Sequence, residues 1–140
     1  AALIGAVAKA HQFFTFTTPN ALQIAVAHGL NTAEDFFLSL AKELQGNRDY
    51  LARELKEIGF DPLPAQGTYF LTTDIRKLRF NGNDVEFCKH MTEHARVAAI
   101  PLSVFFTGDA PQHLVRFAFC KQRKVLEEAV ARLKAHFKTH

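Results

Sequence analysis

The residue with the most chemical content in this sequence is Arg116, in the middle of Leu114-Val115-Arg116-Phe117-Ala118-Phe119. A permanent charge in so apolar a run is costly unless it is paired. Period-two alternation puts Arg116 on the face of Leu114 and Ala118, opposite Val115, Phe117 and Phe119. A planar guanidinium on a rigid strand can grip a carboxylate through two parallel hydrogen bonds. An internal ion pair to an Asp or Glu, or an edge position facing water, would account for the same residue without a ligand.

A second constellation is His90-Met91-Thr92-Glu93-His94, which has the H-x-x-E-H pattern of inverted zinc peptidases. Two histidines four apart on a helix could meet one ion. Yet Val85, Cys88, Met91 and Ala95 form the core stripe of that helix, which sends His90 and Glu93 towards solvent, and no downstream glutamate ligand has a convincing context. A solvated surface is the better reading. Phe105 and Phe106 follow Pro101-Leu102-Ser103-Val104 in a loop, as core plugs or as pocket walls. Phe13, Phe14 and Phe16 form an apolar cluster before a helix, either core or an intersubunit surface. Lys121, Arg123 and Lys124 crowd the start of the last helix, where the dipole disfavours cations; a solvated face explains them more simply than an anionic partner. Gly67 has no phosphate-loop spacing and serves a turn into a strand. No nucleophile elbow, P-loop or dinucleotide fingerprint is present.

The elements that must position these residues are legible as periodicity. Leu3, Val7 and Ala10 predict an opening helix. Thr18 and Pro19 read as cap and first residue of a second, with Leu22, Ala25 or Val26, and Leu30 on one face. Thr32 to Asp35 reads as a capping-box-like start of a longer helix that buries Phe36, Phe37, Leu40 and Leu44. Gln45-Gly46-Asn47 is a weak point in it, and Gly59 its C-cap. A strand is expected over 68–73, a helix over 84–96, strands over 97–100 and 113–119, and a last helix over 122–137. The fold class is α+β: a helical N-terminal segment, then β-α-β-β-α with helices layered on a small sheet. The first forty or so residues have no sheet of their own to cover.

The chain has 140 residues, 48% hydrophobic and 22% charged, enough for one domain with a real core. That composition excludes a disordered tail, and no apolar run approaches the ~18 residues of a membrane span. A net charge of +3 from scattered basic residues gives little support to a nucleic-acid partner. Two cysteines, Cys88 and Cys120, in no metal or redox spacing suit a reduced, cytoplasmic-type protein. The chain opens on an apolar helical stretch without Met, lacking the basic segment and cleavage site of a signal peptide, and is expected to be a piece of something longer.

Three segments together resemble one family. Lys9-Ala10-His11-Gln12-Phe13-Phe14-Thr15-Phe16-Thr17-Thr18-Pro19-Asn20-Ala21-Leu22-Gln23 is similar to the stretch after the cofactor lysine in pyridoxal-phosphate aminotransferases of class I/II. Gln66-Gly67-Thr68-Tyr69-Phe70-Leu71 resembles the first strand of their small domain, and residues 97–106 with 114–119 resemble their carboxylate-binding end. The likeness covers essentially the whole chain in family order and points to the methionine and kynurenine/glutamine aminotransferase branch. It implies the fold-type I architecture: residues 1–35 as the tail of the large cofactor domain, 36–59 as an interdomain helix, and 60–140 as the small C-terminal domain. It also implies Arg116 as the arginine for the substrate α-carboxylate and Phe105 as a pocket aromatic. Phe16 would be the residue that reaches the partner subunit's active site in a homodimer.

The resemblance further implies an amino acid and a 2-oxo acid as substrates and pyridoxal 5'-phosphate as cofactor. The lysine that forms the Schiff base, the aspartate for the pyridine nitrogen and most phosphate ligands would lie upstream of residue 1, in the missing large domain. The chain by itself is therefore expected to be inactive, with one half of a substrate clamp. The rival from a different class is a non-catalytic α+β module that binds a small carboxylate or a protein partner; a zinc hydrolase through His90, Glu93 and His94 is a weaker one. A chain lacking its large-domain cover is also expected to self-associate through Phe13, Phe14 and Phe16.

Overall fold

The first two apolar stripes fold as helices α1 (Ala2–Thr15) and α2 (Asn20–Thr32), and the third as the long helix α3 (Glu34–Ile58). These belong to a computed structural model, which describes residues 2–138. Two units are distinguished within it, Ala1–Leu40 and Ala41–His140. In the first, α2 buries none of its residues, and Leu22, Ile24, Val26 and Leu30 are exposed. Phe36, Phe37 and Leu40 are exposed as well, against the expectation of a buried face; Phe36 and Phe37 stack edge to face on each other at 5.5 Å. The stripe is amphipathic, but this unit contains no sheet against which to lay it.

Both expected caps at this end are corrected. Pro19, not Thr18, occupies the N-cap of α2 and offers no side-chain acceptor; the Thr18 carbonyl instead accepts from Gln23 Nε2 at 2.6 Å. Thr32 is the last residue of α2, its hydroxyl donating to the His28 carbonyl at 2.8 Å, so it cannot open a capping box for α3. The weak point at Gly46 is likewise absent, because α3 runs through it without a break. Asn47, 3% exposed, is captured on the inside, donating from Nδ2 to the Lys121 carbonyl at 2.9 Å. The C-cap is as expected. Gly59 (φ +115) lets its N–H reach the Lys56 carbonyl and the Phe60 N–H the Leu55 carbonyl, the Schellman arrangement.

The second unit carries the sheet. Its strands are β1 (Asp61–Pro62), β2 (Phe70–Asp74), β3 (Ile100–Pro101) and β4 (Leu114–Ala118), in the order β1-β2-β4-β3 with every neighbour antiparallel. The two-residue β1 adds a strand to the expected β-α-β-β-α order; its Asp-Pro composition reads as a breaker. Each edge strand contains a proline, which blunts the edge against further pairing. Helix α4 (Asp84–His90) starts from a capping box, with Asn83 Oδ1 accepting from the Glu86 N–H and Glu86 Oε2 from the Asn83 N–H. It widens into a π-type turn over Met91–Ala95, and α5 (Arg123–Lys138) closes the chain. Val97 is buried but lies before β3 rather than in it, so the expected strand over 97–100 is shifted to Ile100–Pro101.

Alternation decides which side of the sheet is core. Leu71, Thr73, Val115 and Phe117 are buried, and the apolar ones join Leu51 and Leu55 of α3, Phe87 of α4 and Val130 and Leu133 of α5 in one cluster. The opposite face carries Phe70, Thr72, Leu114, Arg116 and Ala118, all half-buried. On the core side the Thr73 hydroxyl is fully buried without a hydrogen-bond partner. An unsatisfied buried hydroxyl costs about 1–3 kcal/mol, so Thr73→Val is expected to stabilise the fold by roughly 1 kcal/mol in chemical denaturation. A midpoint shift towards lower denaturant would contradict this account of the core.

Candidate functional site

Arg116 lies at the centre of the half-buried face, directly opposite Thr72 of β2 on one side and Ile100 of β3 on the other. Its guanidinium carbon sits 4.1 Å from the ring centre of Phe70 and 4.2 Å from that of Phe105. Two aromatic contacts thus define the guanidinium's position. Each is worth about 0.5–2 kcal/mol, depending on desolvation. The Nε of Arg116 is buried and has no hydrogen-bond partner.

The internal ion pair considered for Arg116 is not made, since no carboxylate among the described residues comes within 4.0 Å of it. The acids on its own face of the sheet are already engaged. Asp74 accepts from Arg76 Nε at 2.8 Å and from the Arg76 N–H at 2.9 Å, with His113 Nε2 at 3.9 Å. The Arg76 guanidinium hydrogen-bonded to it holds the Asp74 carboxyl below its ordinary range. Asp61, opposite Asp74 in the sheet, pairs with Lys77 at 2.8 Å. Among the described residues, no acid on this face is therefore left to pair with Arg116.

Phe105, 56% exposed, is not a core plug. It ends a short 3-10 turn, Ser103–Phe105, and is exposed apart from its contact with Arg116. Phe106 is exposed beside it. Phe70 was not among the residues singled out from sequence, because only the pairing of β2 with β4 brings it to Arg116. The approach to Phe70 is shaped by Thr68 at φ +61, whose hydroxyl accepts from the Phe70 N–H at 3.1 Å. A cavity of about 300 Å³ opens beyond that end of the sheet, lined by Leu44, Arg48, Gln66, Thr68 and Phe119 among others; Arg116 is not in its wall.

Phe16 belongs to the first unit, just past the end of α1, and is 85% exposed. His90 differs from expectation. It is half-buried rather than solvated, with Nε2 3.1 Å from His136 Nε2 and its ring against Phe80, while Glu93 is exposed as foreseen. Among the described residues, no group of three or more His, Cys, Asp or Glu could hold a metal ion. Arg123 is a structural tie, donating to the Gly46 carbonyl at 3.2 Å and stacking on Tyr50 at 4.4 Å. Of the cysteines, Cys88 is buried and Cys120 exposed; burial pushes the Cys88 thiol up to about 12, which leaves it unreactive. Among the described residues no helix is long and apolar enough to cross a membrane.

The family model described as "Aminotransferase class I and II" matches residues 1–133. A probable N-succinyldiaminopimelate aminotransferase of Mycobacterium tuberculosis is 41% identical over 142 residues, covering 95% of this chain and 36% of that relative. A methionine aminotransferase of Escherichia coli is 38% identical over 128 residues, covering 91% of this chain and 33% of its own length. The solved N-succinyldiaminopimelate aminotransferase of M. tuberculosis superposes with a TM-score of 0.82 at 41% identity, over 95% of this chain and 35% of that one. The chain thus spans about a third of the length of the curated relatives it matches.

Proposed function

The chain belongs to the class I and II aminotransferase family, and from that premise we propose that it is the C-terminal part of an aminotransferase and supplies the arginine that binds the substrate α-carboxylate. The complete enzyme would move the amino group of an amino acid to a 2-oxo acid. The observation that carries the reading is Arg116 itself: a guanidinium on a rigid strand, held between Phe70 and Phe105, with no described carboxylate to neutralise it. A module that merely packed its arginine would be expected to give it an ion pair, as Arg76 has with Asp74.

In this reading the two N–H groups on one edge of Arg116 donate in parallel to the two carboxylate oxygens. The stacked rings prevent the guanidinium from tilting, and they strip water from its faces so that the charge acts in a lower dielectric. Fixing the carboxylate fixes the α-carbon one bond away, which presents the amino group in one direction and removes a rotational search. Binding and orientation are the work of this chain's own residues.

Pyridoxal phosphate, the coenzyme of this family in our reading, supplies the electron sink for the chemistry when it is bound. The side chains placed against Arg116 are aromatic, with Thr72 and Ile100 across the strands. They offer no amine for a covalent bond to the coenzyme and no cradle for its phosphate, so they fit the substrate's acid group and not the coenzyme. We assign the cofactor lysine and the phosphate ligands to a large domain outside residues 1–140. Residues 1–35 would be the tail of that domain, 36–59 the helix between domains, and 60–140 the small domain. Phe16 would reach the partner subunit's site in a homodimer working in the cytoplasm.

The test is amino-group exchange between an amino acid and a 2-oxo acid, followed with the complete enzyme and with residues 1–140 alone, each supplied with pyridoxal phosphate. Exchange is expected only with the complete enzyme. Turnover by residues 1–140 alone would overturn the division of labour.

A further inference from the structure

We propose that Asp84 is a positioning residue for the Arg116 clamp, acting through Ser103 and the turn that carries Phe105. The proposal rests on the reading of Arg116 as the carboxylate-binding arginine and extends it to residues that touch no substrate.

Asp84 is completely buried, the only charged side chain with no exposed surface among the buried polar residues described. Burying a carboxylate is expensive and is tolerated only when donors compensate it. Among the described residues both of its side-chain hydrogen bonds go to one residue: the Ser103 N–H donates to Oδ2 at 2.8 Å and the Ser103 hydroxyl to Oδ1 at 2.8 Å. The carboxylate thus holds Ser103 at two points, which fixes the direction of the chain there as well as its position.

Ser103 opens the 3-10 turn that ends at Phe105. Few other forces fix that turn. Val104, Phe105 and Phe106 are all about half exposed, so burial restrains them weakly. The strand on its N-terminal side is tied by the Leu102 N–H to the Leu114 carbonyl at 3.0 Å, and the turn's own bonds, such as Phe105 N–H to the Leu102 carbonyl at 3.2 Å, close it locally. Among the described residues, Asp84 ties the turn to helix α4 by side-chain hydrogen bonds. Its own place is set by the capping box one residue earlier, where Asn83 and Glu86 lock the start of α4. The path therefore runs from capped helix to carboxylate, to Ser103, to the Phe105 ring, and to the guanidinium 4.2 Å away. When Asp84 releases Ser103, Phe105 loses its fixed place and the guanidinium keeps only Phe70.

The experiment is a kinetic double-mutant cycle in the complete enzyme, combining Asp84→Asn and Ser103→Ala separately with Arg116→Ala. Ser103→Ala removes one of the two hydrogen bonds and leaves the backbone one, so it carries the test if Asp84→Asn fails to fold. Each change is expected to raise KM for the amino acid roughly tenfold with a smaller change in kcat, within the ~100-fold that a 1 Å misplacement can cost. Ser103→Thr, which keeps the hydroxyl, should restore KM. In the Arg116→Ala background neither change should raise KM further. Equal KM increases in both backgrounds, or no increase in the wild-type background while Arg116→Ala alone is severely impaired, would overturn the positioning role and leave the carboxylate reading standing. An Arg116→Ala enzyme with unaltered KM and kcat would overturn both.

Discussion

Arg116→Ala in the complete enzyme is expected to lower kcat/KM for amino-acid substrates by on the order of 10²–10³, about 3–4 kcal/mol and within the ~2–5 kcal/mol lost when one partner of a buried, hydrogen-bonded charge pair is removed. The size follows from the geometry. The guanidinium is stacked between Phe70 and Phe105, its Nε is shielded from water, and no described acid neutralises it. A substrate carboxylate would therefore meet a half-buried charge held in place by two rings. Arg116→Lys should recover only part of the loss, because an ammonium keeps the charge but cannot make two parallel bonds or stack as a plane. Activity with amino acids within about threefold of wild type in the alanine variant would remove Arg116 from the site.

The second large effect is on folding. Phe60, 1% exposed, follows the Gly59 cap and drops its ring among Phe87 at 6.0 Å, Phe117 at 5.7 Å and Phe137 at 5.5 Å, all edge to face. One ring thus joins the end of α3 to α4, β4 and α5. Phe60→Ala should cost about 3–5 kcal/mol, through lost transfer energy and the cavity left behind. Against a typical domain stability of about 5–15 kcal/mol, that is enough to leave a marginal domain partly unfolded at ambient temperature. Phe60→Leu, which refills most of the volume, should cost about 1–2 kcal/mol. Urea denaturation followed by far-UV circular dichroism reads both; an alanine variant within ~1 kcal/mol of wild type would show that the four rings are not the centre of the core.

Some of this was open to reading from residue order and some was not. Alternation along Leu114–Ala118 put Arg116 on the face opposite Val115 and Phe117, and both of those are buried as that pattern requires. Gly59 announced a helix end because few other residues accept a positive φ. The stripe from Phe36 to Leu40 was misleading: amphipathicity shows which side of a helix seeks cover but not whether the unit contains any. Gly46 looked like a break because propensity is local, whereas Asn47 is held by a carbonyl 74 residues away. The same limit hid Phe70 and Asp84. Each has an ordinary local role, as a strand aromatic and an acid in a helix's first turn, and comes to the proposed site only through long-range pairing.

The most direct measurement compares two competitive inhibitors of the complete enzyme that differ only in bearing a carboxylate or the isosteric carboxamide. Wild type should prefer the carboxylate by roughly 10²-fold or more, and Arg116→Ala should bind the two within about threefold of each other. A preference of the same size in both enzymes would mean that the acid group is held elsewhere, and the assignment of Arg116 would fall.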